Sequence, residues 1–227
     1  MNYLNGAWLT WRGSSTLDFE LIVRKLPVFQ AGEERVKSFE IPGRDGTLHI
    51  ADGSAESYTV NCEIIMLDDE RRGEVFAWLR GSGVLITSDD PDHAVRARVV
   101  NKINPTRIAP KVRDFLVVFE VQPYRYEASP ETVTLTASGA INNHGTASCY
   151  PLITVTGTGV LTIDSAAYVF AESGITLNSD IQECYAGAVN KNNKVSGGFP
   201  VLTPGVHTIT LGAGITSVEI LTNARWY

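Results

Sequence analysis

The hydrophobic and polar positions fall into two regimes along the chain. Up to about residue 121, apolar and polar residues alternate in runs that predict half-buried strands. Residues 17–23 alternate in part (Leu-Asp-Phe-Glu-Leu-Ile-Val) and 58–66 alternate well at first, while 84–87, 95–103 and 115–121 complete the set. One stretch changes to the helical period: Val75, Phe76, Trp78 and Leu79 fall at three- and four-residue spacing and form one apolar stripe. Asp68 or Asp69 can cap it, Glu70 favours its first turn, and Gly81 is a stop signal. This predicts one amphipathic helix over 69–80, packed on the sheet, with Gly73 as its weak point. Beyond residue 131 the helical period is absent. Short β-branched runs at 132–136, 152–155, 160–163, 168–170, 175–177, 183–186, 208–211 and 216–221 are separated by turn residues. About eight short strands in about 100 residues predict a β-sandwich or jelly roll.

Charge divides the chain at the same place. Residues 1–128 hold 16 Lys+Arg and 19 Asp+Glu, whereas 129–227 hold only 3 and 6. Pro123 and Pro130 read as breakers between the two halves. The expected architecture is mainly β in two domains: a strand-rich α+β domain with one helix over 1–128 and a β-sandwich over 129–227. A 44% apolar content with 19% charged residues excludes disorder as the general state. No run of 18 uncharged apolar residues predicts a membrane span, and the start of the chain does not predict a secretory signal. The net charge of -6 argues against a strong nucleic-acid binder.

The candidate chemistry is sparse. Cys62, Cys149 and Cys184 are far apart and odd in number, which predicts buried thiols in a reducing compartment, with a Cys149–Cys184 disulfide as the less favoured alternative. Asp89-Asp90-Pro91-Asp92-His93 gathers three carboxylates and an imidazole, but between two strands it reads as a turn more readily than as a hard-cation loop. Asp68-Asp69-Glu70 reads as a helix cap rather than as an acid/base pair. Arg71-Arg72 reads as a solvated helix face, and Arg96 with Arg98 as one face of a strand. No catalytic residue, metal site or cofactor is predicted. Trp8 and Trp11 read as core, as anchors at a subunit interface, or as platforms for sugar stacking.

Ile41-Pro42-Gly43-Arg44-Asp45-Gly46 combines a proline of fixed φ with two permissive glycines. It predicts a tight turn between strands at 36–41 and 47–50 that presents Arg44 and Asp45. The turn is either plain surface or the tip of a hairpin that reaches a neighbouring subunit.

With Thr47-Leu48 added, that turn resembles the central signature of the distal tail proteins of long, non-contractile-tailed phages that infect Gram-positive hosts. Trp78-Leu79-Arg80-Gly81-Ser82-Gly83 running into Val84-Leu85-Ile86-Thr87-Ser88-Asp89-Asp90-Pro91-Asp92 resembles the family as well, although His93 stands where an aromatic is expected. So do Gln122-Pro123-Tyr124-Arg125-Tyr126, Asn143-His144-Gly145-Thr146-Ala147-Ser148-Cys149-Tyr150-Pro151-Leu152, Gly198-Phe199-Pro200-Val201-Leu202-Thr203-Pro204-Gly205 and Asn223-Ala224-Arg225-Trp226. The resemblance spans nearly the whole chain and rests on the order of these motifs.

It implies a structural virion protein at the distal end of the tail, made in the bacterial host cytoplasm. It implies a homo-hexameric ring formed by the N-terminal domain around a channel for DNA in transit. The ring would have a tail tube protein on one face and a tail-tip protein on the other. A galectin-like C-terminal sandwich would offer a surface to receptor-binding proteins, without membrane insertion. Pro42, Gly43, Arg44, Asp45 and Gly46, with Trp8 and Trp11, are the oligomer-interface candidates. The competing expectations are a carbohydrate-binding module for host cell-wall sugars and a cell-wall hydrolase built on Asp89–His93.

Overall fold

The computed structural model describes residues 6–227, and two compact units account for them: one ends at Ala128 and includes Tyr227, the other runs Ser129–Trp226. The first unit contains β1 (Leu9–Trp11), β2 (Ser14–Ser15), β3 (Leu21–Lys25), β4 (Glu34–Glu40), β5 (Thr47–Ala55), β6 (Tyr58–Met66), helix α1 (Arg72–Trp78), β7 (Ser82–Thr87), β8 (Asp90–Val99), β9 (Thr106–Ala109) and β10 (Val112–Glu127). Its main sheet is antiparallel in the order β2-β1-β7-β8-β10-β6-β3, with β9 beside the start of β10. Alternation sets the core face. Phe115, Val117 and Phe119 of β10 stand opposite Ile64, Cys62 and Val60 of β6, and all six are buried.

The helix covers that face. Val75 and Leu79 are fully buried, Phe76 meets Phe115 edge-to-face at 5.8 Å, and the Trp78 indole N–H donates to the Trp11 carbonyl oxygen at 2.8 Å. The predicted stripe is therefore the buried one. The helix is shorter than 69–80, because a 3-10 turn at Asp69–Arg71 precedes it. Asp68 caps that turn through its side chain, which accepts from the Glu70 N–H at 3.0 Å.

Two other expectations need correction. Residues 17–23 are not one strand: Thr16–Phe19 is a 3-10 turn capped by Ser15, and Leu21 begins β3. Pro123 does not end a strand, since β10 runs through it to Glu127. The register with β8 shifts between Val121 and Arg125, and a proline at such a bulge removes no ladder hydrogen bond.

The second unit is two packed antiparallel sheets without an α-helix. One contains β11 (Thr132–Leu135), β13 (Leu152–Gly157), β16 (Ile175–Asn178), β17 (Glu183–Ala186), β18 (Val189–Asn190) and β21 (Ile215–Leu221). The other contains β12 (Gly139–Asn143), β14 (Gly159–Ile163), β15 (Ala166–Phe170), β19 (Val195–Ser196) and β20 (Gly205–Leu211). Their orders are β11-β21-β13-β16-β17-β18 and β12-β20-β14-β15-β19. Ile153, Val155, Ile175, Leu177, Val218 and Ile220 of the first sheet face Ile141, Leu161, Ile163, Phe170 and Ile209 of the second in one apolar cluster. Along β13, β14, β15 and β16 the buried residues of this cluster fall at every second position. β12, with Ile141 and Asn143 as its buried positions, has no counterpart among the eight predicted runs.

Candidate functional site: an exposed ribbon

β4 and β5 form a two-stranded sheet of their own, paired from Glu40–Thr47 at the tip to Glu34–Ala55 at the base. Every residue of β4 is exposed. No described residue of the ribbon belongs to the apolar core of its unit. The base is closed by the Glu56 N–H donating to the Glu33 carbonyl oxygen at 2.8 Å and by an Arg35–Glu56 ion pair at 3.6 Å.

The tip follows from its sequence. The Arg44 N–H donates to the Ile41 carbonyl oxygen at 3.1 Å, with Pro42 and Gly43 between them. Gly43 has φ +81°, so proline and glycine occupy the second and third positions of a type II turn. Gly46 has φ +82° and returns the chain into β5. An added Cβ at either glycine meets no atom within 4 Å, so the backbone conformation and not crowding calls for glycine there. Pro42, Gly43, Arg44, Asp45 and Gly46 thus come together at one exposed tip.

The tryptophans do not join them. Trp11 is wholly buried and packs edge-to-face on Phe119 at 5.1 Å. This corrects the interface expectation for Trp11: its ring is inside the unit's own core and offers nothing to a partner. Trp8 is half-buried, with its backbone N–H donating to the Ser88 hydroxyl at 3.1 Å.

The polar clusters are engaged within the fold. Asp90 accepts from the His93 ring at 2.7 Å and from Arg125 at 3.1 Å. Burial pushes the Asp90 carboxyl up, but these partners outweigh it and hold it below the usual carboxylate range. Asp69 receives Arg72 at 2.5 Å and Arg113 at 2.7 Å, so it ties the helix start to β10. Arg71 pairs with Glu74 at 3.2 Å, Arg98 with Glu120 at 2.8 Å, and the Arg96 guanidinium lies over the Tyr126 ring at 4.6 Å. Among the described residues no group of three or more His, Cys, Asp and Glu side chains is placed to hold a metal. No helix among them is long and apolar enough to cross a membrane. The three cysteines are free and buried, and burial pushes the Cys62 thiol up to about 12.

In the second unit, three motifs distant in sequence meet. The Asn143 amide donates to the carbonyl oxygens of Ala147 and Leu202, and its oxygen accepts from the Gly145 N–H. Cys149 bridges to Leu202 and Ala147 to Arg225. The Arg225 guanidinium donates to the Ser148 carbonyl oxygen and stacks on Tyr150 at 4.4 Å. Asn223 donates to the Tyr150 carbonyl oxygen at 3.0 Å. Sequence reading found each motif separately, and only the tertiary fold shows that they form one junction.

The same sandwich pairs a buried imidazole with an exposed carboxylate. The His207 ring sits between the Asp164 carboxylate and the Thr203 carbonyl oxygen, 2.7 Å from each.

The fold has a solved counterpart. The crystal structure of SPP1 Dit (gp 19.1), presented as a paradigm of the hub adsorption apparatus in Gram-positive infecting phages, superposes with a TM-score of 0.73. The likeness covers 97% of this chain and 99% of that one at 15% sequence identity, so it is a likeness of fold. No protein-family model and no curated protein matches the chain.

Proposed function

We propose that the chain is a structural, non-catalytic component of a phage tail hub, and that six copies close into a ring at the distal end of a long non-contractile tail. The whole-length fold likeness to a hub adsorption protein carries this reading. The ribbon supports it, because a ring needs a surface on each copy that meets a different surface on the next. In this reading the tip at Pro42–Gly43–Arg44–Asp45–Gly46 reaches the neighbouring subunit. One ring face meets the tail tube protein and the other the tail-tip protein. DNA passes through the channel, with the chain's acidic balance disfavouring adhesion. The second unit is a galectin-like exterior platform for receptor-binding proteins.

Light scattering after size exclusion, over a concentration series, tests the ring. The expected mass is six times that of the 24.7 kDa chain. A single-chain mass at every concentration counts against it.

A further inference from the structure

Asp45–Gly46 and Asp52–Gly53 are the Asp-Gly steps of the chain, and Asp164–Ser165 is its Asp-Ser step. In such a step the amide nitrogen of the second residue can attack the side-chain carboxyl of the first, because a small second residue leaves that nitrogen open. The attack needs a carboxyl that nothing holds, an accessible amide and a main chain that can turn. The fold grants these to the three steps unequally.

All three conditions meet at the ribbon tip. Asp45 is exposed, and among the described residues none engages its carboxylate or accepts the Gly46 N–H. Gly46 stands at φ +82° with no atom within 4 Å of an added Cβ. Ladder pairing stops at Glu40–Thr47, and the hydrogen bond of the turn, from the Arg44 N–H to the Ile41 carbonyl oxygen, comes before Asp45. Turning the main chain at Asp45 therefore breaks no pairing of the ribbon. At Asp164 both carboxylate oxygens are held, one by the His207 ring at 2.7 Å and the other by the Thr208 N–H at 2.9 Å. Asp52–Gly53 lies within β5, with the ladder pairs Val36–Ala51 and Glu34–Ala55 on either side, so turning the main chain there disturbs the ribbon.

We propose that Asp45 is a site of spontaneous isomerisation in the native chain. The Gly46 nitrogen bonds to Cγ of the protonated Asp45 carboxyl, and the bond from Cγ to the hydroxyl oxygen breaks. That oxygen leaves as water with the carboxyl proton and the proton given up by the nitrogen. The product is a five-membered succinimide, one water lighter than the chain. Water then adds to one of the two ring carbonyl carbons and breaks its bond to nitrogen. Addition at Cγ restores aspartate, whereas addition at the Asp45 main-chain carbonyl carbon routes the chain through Cβ and Cγ and gives isoaspartate. Solvent water is the only co-reactant, and nothing is oxidised or reduced. The tip main chain becomes one carbon longer and carries a carboxylate on Cα, so the turn at Pro42–Gly46 changes shape at unchanged mass and charge. This is a property of the single chain and goes beyond the ring reading.

The test incubates the folded full chain near neutral pH beside a sample in urea. Isoaspartate is then labelled by an isoaspartyl methyltransferase and located by peptide mapping. Mapping also separates Asn5–Gly6, whose asparagine lies outside the described residues. Label should accumulate at position 45 of the native chain nearly as fast as in urea. It should be severalfold lower at position 52 and absent at position 164. Asp45→Glu should lose the label at that position, and Gly46→Ala should slow it severalfold. No label at position 45 of the native chain, or label far slower than in urea, overturns the proposal whatever mass light scattering reads, and leaves the ring reading standing. Equal native labelling at positions 45 and 52 also overturns it, since the dipeptide and not the fold would then decide.

Discussion

Asn143 donates a hydrogen bond of 3.0 Å to the carbonyl oxygen of Leu202, 59 residues further along the chain. Both residues are buried, and water cannot replace either partner without opening the junction. Asn143→Ala should destabilise the second unit by about 2–3 kcal/mol, because it removes three buried hydrogen bonds at once and takes from the Gly145 N–H its side-chain acceptor, although the Leu202 carbonyl oxygen keeps the Cys149 N–H. Asn142→Ala, on the exposed side of the same strand, should cost about 0.5 kcal/mol or less. Urea denaturation followed by tryptophan and tyrosine fluorescence distinguishes them.

Gly145 supports the same junction by lacking a side chain. An added Cβ would lie 2.3 Å from the Arg225 carbonyl oxygen, a backbone atom that cannot turn aside. Gly145→Ala should therefore lower the thermal midpoint clearly. Gly43→Ala meets no atom and strains only the turn, so it should cost about 1–2 kcal/mol at most, confined to the ribbon. Replacing both Gly43 and Gly46 with valine should shift the assembly towards monomer, read by light scattering.

The eight strand runs of the second half were legible because each face of a sandwich strand repeats every two residues, and turn residues punctuate them. The stripe of Val75 and Leu79 was legible for the same kind of reason. What escaped reading was decided at a distance. Pro123 breaks a strand in isolation, yet a bulge against β8 absorbs it. Trp11 carries no local sign that Phe119 will receive it. Asn143, Leu202 and Arg225 lie far apart in sequence, and no spacing rule joins them. The ribbon tip was readable from Pro-Gly-Arg-Asp-Gly alone, because turn chemistry is local.

His207 and Asp164 give a pH dependence. Burial pulls the His207 imidazole down, but the Asp164 carboxylate and the Thr203 carbonyl raise it by more, so it ends above its ordinary 6.5. Its contribution is fully present below about 6.5 and is lost as pH rises through the raised folded value. Asp164 is held below its ordinary 3.8, first by the His207 hydrogen bond and then by the Thr208 N–H. Its contribution is present above about 3.8 and is lost as pH falls through the lowered value. The thermal midpoint of His207→Gln should fall furthest below that of the parent between about pH 4 and 6.5, with the gap narrowing on both sides. A gap that does not vary with pH would show that the pair acts through packing alone.

The thiols should be inert in the folded chain. Burial raises all three, Cys62 to about 12 and Cys149 to about 11, and the thiolate is the reactive form. A thiol-reactive chromophore at pH 8 should label none rapidly, and three on adding denaturant. Fast labelling of one site in the native chain would identify a unit that opens locally.

β10 lies between β6 and β8, both of which precede it in the chain. During synthesis the strands on either side of that seam leave the ribosome before the strand that joins them. Until residues 112–127 emerge, β7 and β8 on one side and β3 and β6 on the other are two half-sheets with open inner edges. The unit therefore cannot be built up strand by strand in order of translation, and its closure is a late, non-local event. A chain stopped before Val112 would expose the β6 and β8 edges to other nascent copies, which makes the last strand of the unit the guard of its solubility as well as the centre of its core.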